Sequence, residues 1–173
     1  MLNKNYKQKI FSLLILTILI FSFNQNSTAS SLNNPVEFGE YIYDNYAQEN
    51  FEEVYANFAA ELKSILSREE YTEFQKDNFE KYQLEYTDIE VANPQEISYQ
   101  EFKKEFPFLE AKGTFYTVEV SYLIKFRRLG SRERESDKLV YLREKENKFE
   151  LFWDPEPILD ELSPESAAED NGK

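Results

Sequence analysis

The side chains with which this chain could do chemistry are few, because its 173 residues include neither cysteine nor histidine. The lack of cysteine excludes disulfides, thiol nucleophiles and thiolate metal sites. The lack of histidine removes the side chain that most often transfers protons near neutral pH. Acid–base chemistry would therefore depend on carboxylates and tyrosines held in a dry pocket that shifts their pKa values.

Two acids, three tyrosines and one tryptophan could line such a pocket if they pointed inward. They are Asp88, Glu119, Tyr116, Tyr122, Tyr141 and Trp153. The alternative is that the aromatic rings fill the core, with the tyrosine hydroxyls at its rim and both acids in solvent. The sequence favours this alternative, because the strand face that would carry Tyr116 and Tyr122 is apolar or aromatic throughout. We therefore predict no catalytic residue, and keep Tyr116, Tyr122, Tyr141 and Trp153 as candidates for lining a ligand pocket.

Four arginines surround a predicted turn and form a positive patch on an otherwise acidic chain. They are Arg127, Arg128, Arg132 and Arg134. One interpretation is a contact for an anionic cell-wall polymer or an acidic partner, because guanidinium groups bind carboxylates and phosphates well. The other, which we favour, is a solvated strand end whose charges pair with Glu133, Glu135 and Asp137.

Adjacent acids lie at predicted helix starts or in the C-terminal tail, as in Glu52-Glu53, Glu69-Glu70 and Asp160-Glu161. Their spacing places them on solvated faces, and the chain has no EF-hand or P-loop pattern. We predict no metal site and no cofactor.

The strongest structural signal is the segment 113–128, GTFYTVEVSYLIKFRR, which alternates between apolar and polar side chains. This period predicts one long strand. One of its faces is apolar, and the other is polar with Phe115 and Leu123 as exceptions. A strand with one apolar face needs a covering layer, and the preceding sequence supplies amphipathic helices.

Three helices are predicted before this strand. The first begins at Pro35, and the second covers residues 50–66 as one continuous apolar stripe with Asn50 as its N-cap. Ser67 and Glu70 fit a capping box that opens the third. Further strands are predicted over residues 84–91, 138–143 and 148–153.

Finer features are predicted between these elements. An irregularity is expected at Asp88-Ile89, turns at residues 129–131 and 146–147, and a loop or strand end with about one helical turn over residues 97–111. Helices followed by an antiparallel meander predict an α+β domain, with three helices packed on one face of a curved sheet.

The first 29 residues have the pattern of an export signal. Lys4, Lys7 and Lys9 precede an apolar run at residues 10–23, and cleavage is predicted after Ala29. The alternative is an uncleaved anchor that holds the protein in the membrane through residues 10–23. Both interpretations place the remaining chain outside the cytoplasm. Residues 30–35 are predicted as a spacer, 36–162 as the domain and 163–173 as an acidic disordered tail.

The formal net charge is −13, and loss of the three signal lysines would make it −16. A surface of this sign repels nucleic acid and anionic lipids, so neither is an expected partner.

The order of elements resembles the NTF2-like fold, and two segments sharpen the resemblance. The segment from Asn50 to Tyr55, with Ser67 to Tyr71, is similar to the opening of extracytoplasmic NTF2-like domains. The segment from Lys148 to Asp154 resembles the last strand of the NTF2-like N-terminal domain of low-affinity class B penicillin-binding proteins. The resemblance implies a conical fold over residues 36–162 and a non-catalytic stalk or interaction role.

Transpeptidase activity does not follow from this resemblance. No serine is followed three positions later by a lysine, and Lys112-Gly113-Thr114 has the wrong order for the transpeptidase triplet. The expected function is therefore an exported binding or accessory domain at the bacterial cell envelope, contacting an envelope protein or wall component. A homodimer is possible. The alternative is a small-molecule pocket enzyme of the isomerase or hydrolase kind, as in some NTF2-like relatives.

Overall fold

The computed structural model describes residues 32, 34–109 and 113–162. Within these residues it contains six α-helices and an antiparallel sheet of five strands, which confirms the predicted α+β class. The predicted export signal and acidic tail lie outside the described residues, as do residues 30, 31 and 33 of the predicted spacer.

Four helices precede the main strands. They are α1 (Pro35–Ala47), α2 (Phe51–Ala56), α3 (Ala60–Lys63) and α4 (Arg68–Tyr82). The capping box predicted at the start of α4 is confirmed. The amide of Glu70 donates to Ser67 Oγ at 3.2 Å, and the amide of Ser67 donates to Glu70 Oε2 at 2.7 Å. These bonds satisfy two amides that the first turn of a helix leaves free.

The prediction of one helix over residues 50–66 is wrong, because the chain leaves the helix between Asn57 and Ala59. The amide of Leu151 donates to the Asn57 carbonyl at 2.8 Å, and the amide of Ala59 donates to the Leu151 carbonyl at 3.0 Å. This backbone therefore pairs with the last strand of the sheet instead of continuing the helix. Asn50 does precede α2, but its side chain makes no capping hydrogen bond.

The sheet is built around its longest hairpin. Its strands are β1 (Leu84–Val91), β2 (Gln95–Ile97), β3 (Thr114–Phe126), β4 (Arg132–Lys145) and β5 (Lys148–Phe152). β3 pairs with β1 and β2 on one side and with β4 on the other, and β5 pairs with the last part of β4. The β3–β4 register runs without a shift from Phe126 opposite Arg132 to Thr114 opposite Glu144.

Two irregular positions lie where the sequence predicts them. The register of β1 against β3 shifts between Thr87 and Glu90, and Asp88 has a φ of 53°. The turn between β4 and β5 has positive φ at both Glu146 and Asn147, as a two-residue hairpin turn requires.

Helical segments cover both faces of the sheet, which corrects the prediction of a single covered face. The main core lies between the sheet and helices α1, α2 and α4, on the face of β3 that carries Val118 and Val120. We call this the helix-covered face. A second core lies on the opposite face and contains Ala59, Phe102, Phe106, Leu109, Phe115 and Phe152.

The second core depends on a helix in the segment predicted as mostly loop. This helix, α5 (Tyr99–Glu105), begins at a capping box of Ser98 and Glu101 and ends before Pro107. Its Phe102 ring lies 4.8 Å from the Phe115 ring. Phe115 is an apolar residue on the otherwise polar face of β3, and its packing in this core explains that exception. A short last helix, α6 (Glu156–Glu161), follows β5 and buries Ile158.

Candidate binding site

The four predicted pocket residues do not line one internal pocket. Tyr116, Tyr122 and Trp153 lie on the helix-covered face, whereas Tyr141 lies on the opposite face, across from Thr117. The ring of Tyr122 packs among other tyrosines of the main core. The hydroxyl of Tyr116 donates to the Glu144 carboxylate at 3.2 Å. Tyr116 and Tyr122 are therefore partly buried in the packing beneath the helices, and Tyr122 also lines a surface cleft of about 360 Å³ with Asp88.

Rings fill the space between the helices and the sheet. The Tyr46 ring lies 5.5 Å from Phe51, 5.3 Å from Phe79 and 5.4 Å from Trp153, centre to centre. Burial raises the pKa of Tyr46 well above its ordinary value, so its phenol stays protonated at physiological pH.

The two acids considered for a pocket do not reach this interior. Asp88 lies at the bulge of β1 and Glu119 lies on the opposite face of β3, and both are exposed. Among the described residues, no aspartate, glutamate or lysine is buried, and the one buried arginine, Arg143, lies on the opposite face of the sheet. The buried titratable groups of this interior are therefore tyrosines, and burial raises the pKa of the Tyr43 and Tyr46 phenols well above its ordinary value.

Arg143 on β4 is fully buried, and sequence reasoning missed it. Its Nη1 and Nη2 donate to the two carboxylate oxygens of Glu61 at 2.7 and 2.9 Å, and its Nε donates to Glu150 at 2.7 Å. The guanidinium carbon lies 5.2 Å from the centre of the Phe152 ring. The hydrogen bond from Arg143 lowers the pKa of Glu61. Two carboxylates occupy the guanidinium fork, so the arrangement joins α3, β4 and β5 and leaves no vacant anion site.

Part of this ion pair could have been found in the sequence. A two-residue turn at Glu146 and Asn147 places Arg143 directly opposite Glu150. Glu61 could not be found in this way, because its contact with Arg143 depends on the break after α2, which the predicted continuous helix over residues 50–66 does not contain.

A cleft of about 440 Å³ lies beside the second core, and we call it the aromatic cleft. Its apolar wall includes Phe106, Leu139, Tyr141, Phe152 and Trp153. Charged residues of α5, β4, the β5–α6 connection and the start of α6 also line it, and all of them are exposed: Lys104, Glu105, Lys138, Asp154 and Glu156.

Two of the predicted pocket residues, Tyr141 and Trp153, therefore meet in a surface cleft. The Lys138 ammonium lies 5.8 Å from the centre of the Trp153 ring. Burial raises the pKa of Tyr141, and the nearby charge of Glu105 adds to this shift. An apolar wall with a charged rim suits the binding of a side chain or small ligand, whereas catalysis by a carboxylic acid would need that acid shielded from water.

Beside the aromatic cleft, β4 has a free edge. β5 pairs with β4 from Tyr141 to Lys145 and then leaves the sheet after Phe152. Within the described residues no strand pairs with this side of β4 from Arg132 to Val140. Alternate residues of such an edge direct their amide and carbonyl groups outward. We call this stretch the free β4 edge.

The predicted basic patch is divided between two settings. Arg127 forms an ion pair with Glu85, and Arg128 donates to the Lys81 carbonyl at 3.0 Å, so both hold the β3–β4 turn against neighbouring elements. Arg132 and Arg134 lie instead on the exposed free β4 edge. Arg127 and Arg128 are exposed as well, but of the four arginines Arg132 and Arg134 are the two on the free β4 edge.

Two further features are absent from the part of the chain that the structure describes. No group of three or more acidic side chains is arranged to hold a metal ion there. No helix in that part is both long and apolar enough to cross a membrane.

No protein-family model matches the chain, and no curated protein matches it either.

Proposed function

We propose that this protein is an exported, non-catalytic binding module of the bacterial cell envelope, with the conical helix-and-sheet arrangement of the NTF2-like fold. The observation that carries this proposal is the filling of the main core by aromatic and aliphatic side chains, with no carboxylate, lysine or arginine buried there among the described residues. An isomerase or hydrolase of this architecture would need such a group beneath the helices.

The surface supports a binding role. The aromatic cleft combines an apolar wall with exposed charges of both signs. Leu139 is 45% accessible and adds its apolar surface to the aromatic wall of this cleft. Contact with another protein or with a wall component would cover this side chain.

The binding role can be tested by site-specific cross-linking in the native envelope. A photo-reactive amino acid is placed at Leu139, and a matched control carries it at Leu162, which is 53% accessible but lies away from the cleft. We expect a cross-linked envelope component at position 139 and none at position 162. Equal labelling at both positions, or none at either, would contradict binding through the cleft.

Export is the second part of the proposal, and the pattern of residues 1–29 supports it. If the signal is cleaved, protein recovered from the medium or from the outer face of the cytoplasmic membrane should begin near Ser30. Recovery of Met1 in the membrane fraction would favour the uncleaved anchor. Protein found only in the cytoplasm would contradict an envelope role.

A further inference from the structure

The two edges of the sheet are protected in different ways. The edge at β1 is interrupted by the bulge at Asp88, and β1 also contacts α1 and α4. The free β4 edge has no bulge and no proline, and its register against β3 is continuous. Proteins usually interrupt, cover or charge an edge of this length, because its outward amides and carbonyls are a template for another strand, and here six charged side chains restrict which strands can pair.

The charges of the free β4 edge are sorted by face. Arg132, Arg134 and Lys138 lie on the helix-covered face, across from Phe126, Ile124 and Val120 of β3. Glu133, Glu135 and Asp137 lie on the opposite face, followed by Leu139 at the aromatic cleft. An incoming strand would thus meet basic side chains on one face and acidic ones on the other.

This sorting argues against a second copy of the chain as the occupant. In an antiparallel pair of identical strands, the residues that oppose each other come from the same face of the sheet. Arginines and lysine would then oppose one another, and the acids would do the same. Like charges placed directly opposite each other destabilise a strand pair.

We propose that the free β4 edge binds an extended segment of a partner protein by strand addition. This inference rests on the proposed binding role and specifies its occupant. The segment carries acidic side chains at the positions beside Arg132, Arg134 and Lys138, and basic side chains at the alternating positions beside Glu133, Glu135 and Asp137. Leu139 is the next residue on the acidic face of β4. Beside it, the partner segment carries an apolar side chain that enters the aromatic cleft.

The geometry supplies affinity and selectivity from different groups. Backbone hydrogen bonds to the outward amides and carbonyls of β4 bind any extended chain, whereas the alternating charges select the sequence. The cleft lies where β5 leaves the sheet, so the ladder position beside Leu139 and Val140 is open to the partner's chain.

The test is hydrogen–deuterium exchange on the protein in the form that its host exports, with synthetic peptides as probes. The peptides alternate glutamate with lysine, and a phenylalanine replaces either the first or the last lysine to cover both strand directions. A peptide of the same composition with all glutamates before all lysines is the control. We expect the alternating peptide in one direction to slow exchange between Arg132 and Val140 by about tenfold or more, with β1 unchanged.

Two protein variants make the readout specific. Arg134→Glu places an acid beside the acids of the peptide, and we expect it to weaken binding about tenfold. Lys148→Glu makes the same charge change at an exposed residue outside the free β4 edge, and we expect it to leave binding within about twofold. Equal effects of the two variants would show a general charge attraction and would overturn the proposal.

Other outcomes would overturn the proposal without affecting the proposed binding role. They are a peptide that binds without protecting β4, protection of β4 that rises with protein concentration in the absence of peptide, and protection that disappears when residues 163–173 are removed. The second would assign the edge to another copy of the chain, and the third to the chain's own C-terminal segment. Absence of peptide binding would also overturn strand addition, whereas a cross-link at Leu139 would still support a binding module.

Discussion

Arg143 and Glu61 are 82 residues apart in the sequence, and two parallel hydrogen bonds of 2.7 and 2.9 Å join them. The Arg143 side chain has no exposure to solvent, and that of Glu61 is 19% exposed. Together with Glu150 they connect the short helix α3 to the last two strands. The stability of this side of the second core should therefore depend on the charge balance of three residues.

Replacing Arg143 by alanine should lower the free energy of unfolding by about 3–5 kcal/mol, because two partly buried carboxylates lose their shared counter-charge. Urea unfolding followed by circular dichroism measures the change. The control is Arg127→Ala, whose ion pair with Glu85 is 64% exposed on the arginine side and should contribute less than about 1 kcal/mol. Similar losses in the two variants would contradict a structural role for the buried pair.

Acid should weaken the fold partly through Glu61. The hydrogen bond from Arg143 lowers the pKa of Glu61 from the ordinary value of 4.5, so its carboxylate is favoured in the folded state. Its contribution to stability is then present above pH 4.5 and is lost as the pH falls through the lower folded pKa. In Glu61→Gln, unfolding free energies measured from pH 6 downward should fall less steeply than in the natural protein. An identical slope would show that Glu61 has the same pKa in both states.

Tyr71 and Tyr46 provide a matched pair of hydroxyl deletions. The Tyr71 hydroxyl is buried and has no hydrogen-bond partner among the described residues, whereas the Tyr46 hydroxyl donates to Gln75 at 2.8 Å. Tyr71→Phe should leave stability unchanged or raise it, because it removes an unsatisfied buried polar group. Tyr46→Phe should cost about 1–2 kcal/mol, because it leaves a buried acceptor on Gln75 without its donor. Thermal unfolding of both variants measures the two stability changes. A larger loss for Tyr71→Phe than for Tyr46→Phe would contradict this assignment of hydrogen bonds.

Trp153→Ala should destabilise the protein by about 3 kcal/mol, because its ring contacts Tyr43, Tyr46 and Tyr71 in the main core. Leu162→Ala, at an exposed position, is the control and should change stability by less than about 0.5 kcal/mol. An unchanged melting temperature for the tryptophan variant would contradict the packing of its ring. Because Trp153 is the sole tryptophan and also lines the aromatic cleft, its fluorescence should change when a ligand occupies the cleft.

Periodicity predicted the elements whose burial is one-sided. The first helix, the strand over residues 84–91 and the capping box at Ser67 lie where the sequence places them, because each has a clear period or a local cap. β4 is longer than predicted, since its first half alternates arginine with glutamate and therefore has no hydrophobic period.

Long-range contacts explain the features that were missed. The break after α2 exists because Phe58 lies beside β5, and such a contact leaves no local sequence signal. The aromatic cleft was only partly predicted for the same reason. Tyr141 and Trp153 were expected to line an interior pocket. They meet at the surface instead, because β5 leaves the sheet just after Phe152, the residue that pairs with Tyr141.

β3 contributes neighbouring residues to two different cores, with Phe115 and Thr117 buried on one side and Val118 and Val120 on the other. A slip of one position along its partners would move both sets of side chains into the wrong surroundings at once. The hairpin is thus held in alignment from two directions, and a misaligned chain would lose packing above and below the sheet together. We expect few long-lived misfolded states with shifted strands, and a fold that either forms in the correct alignment or does not form.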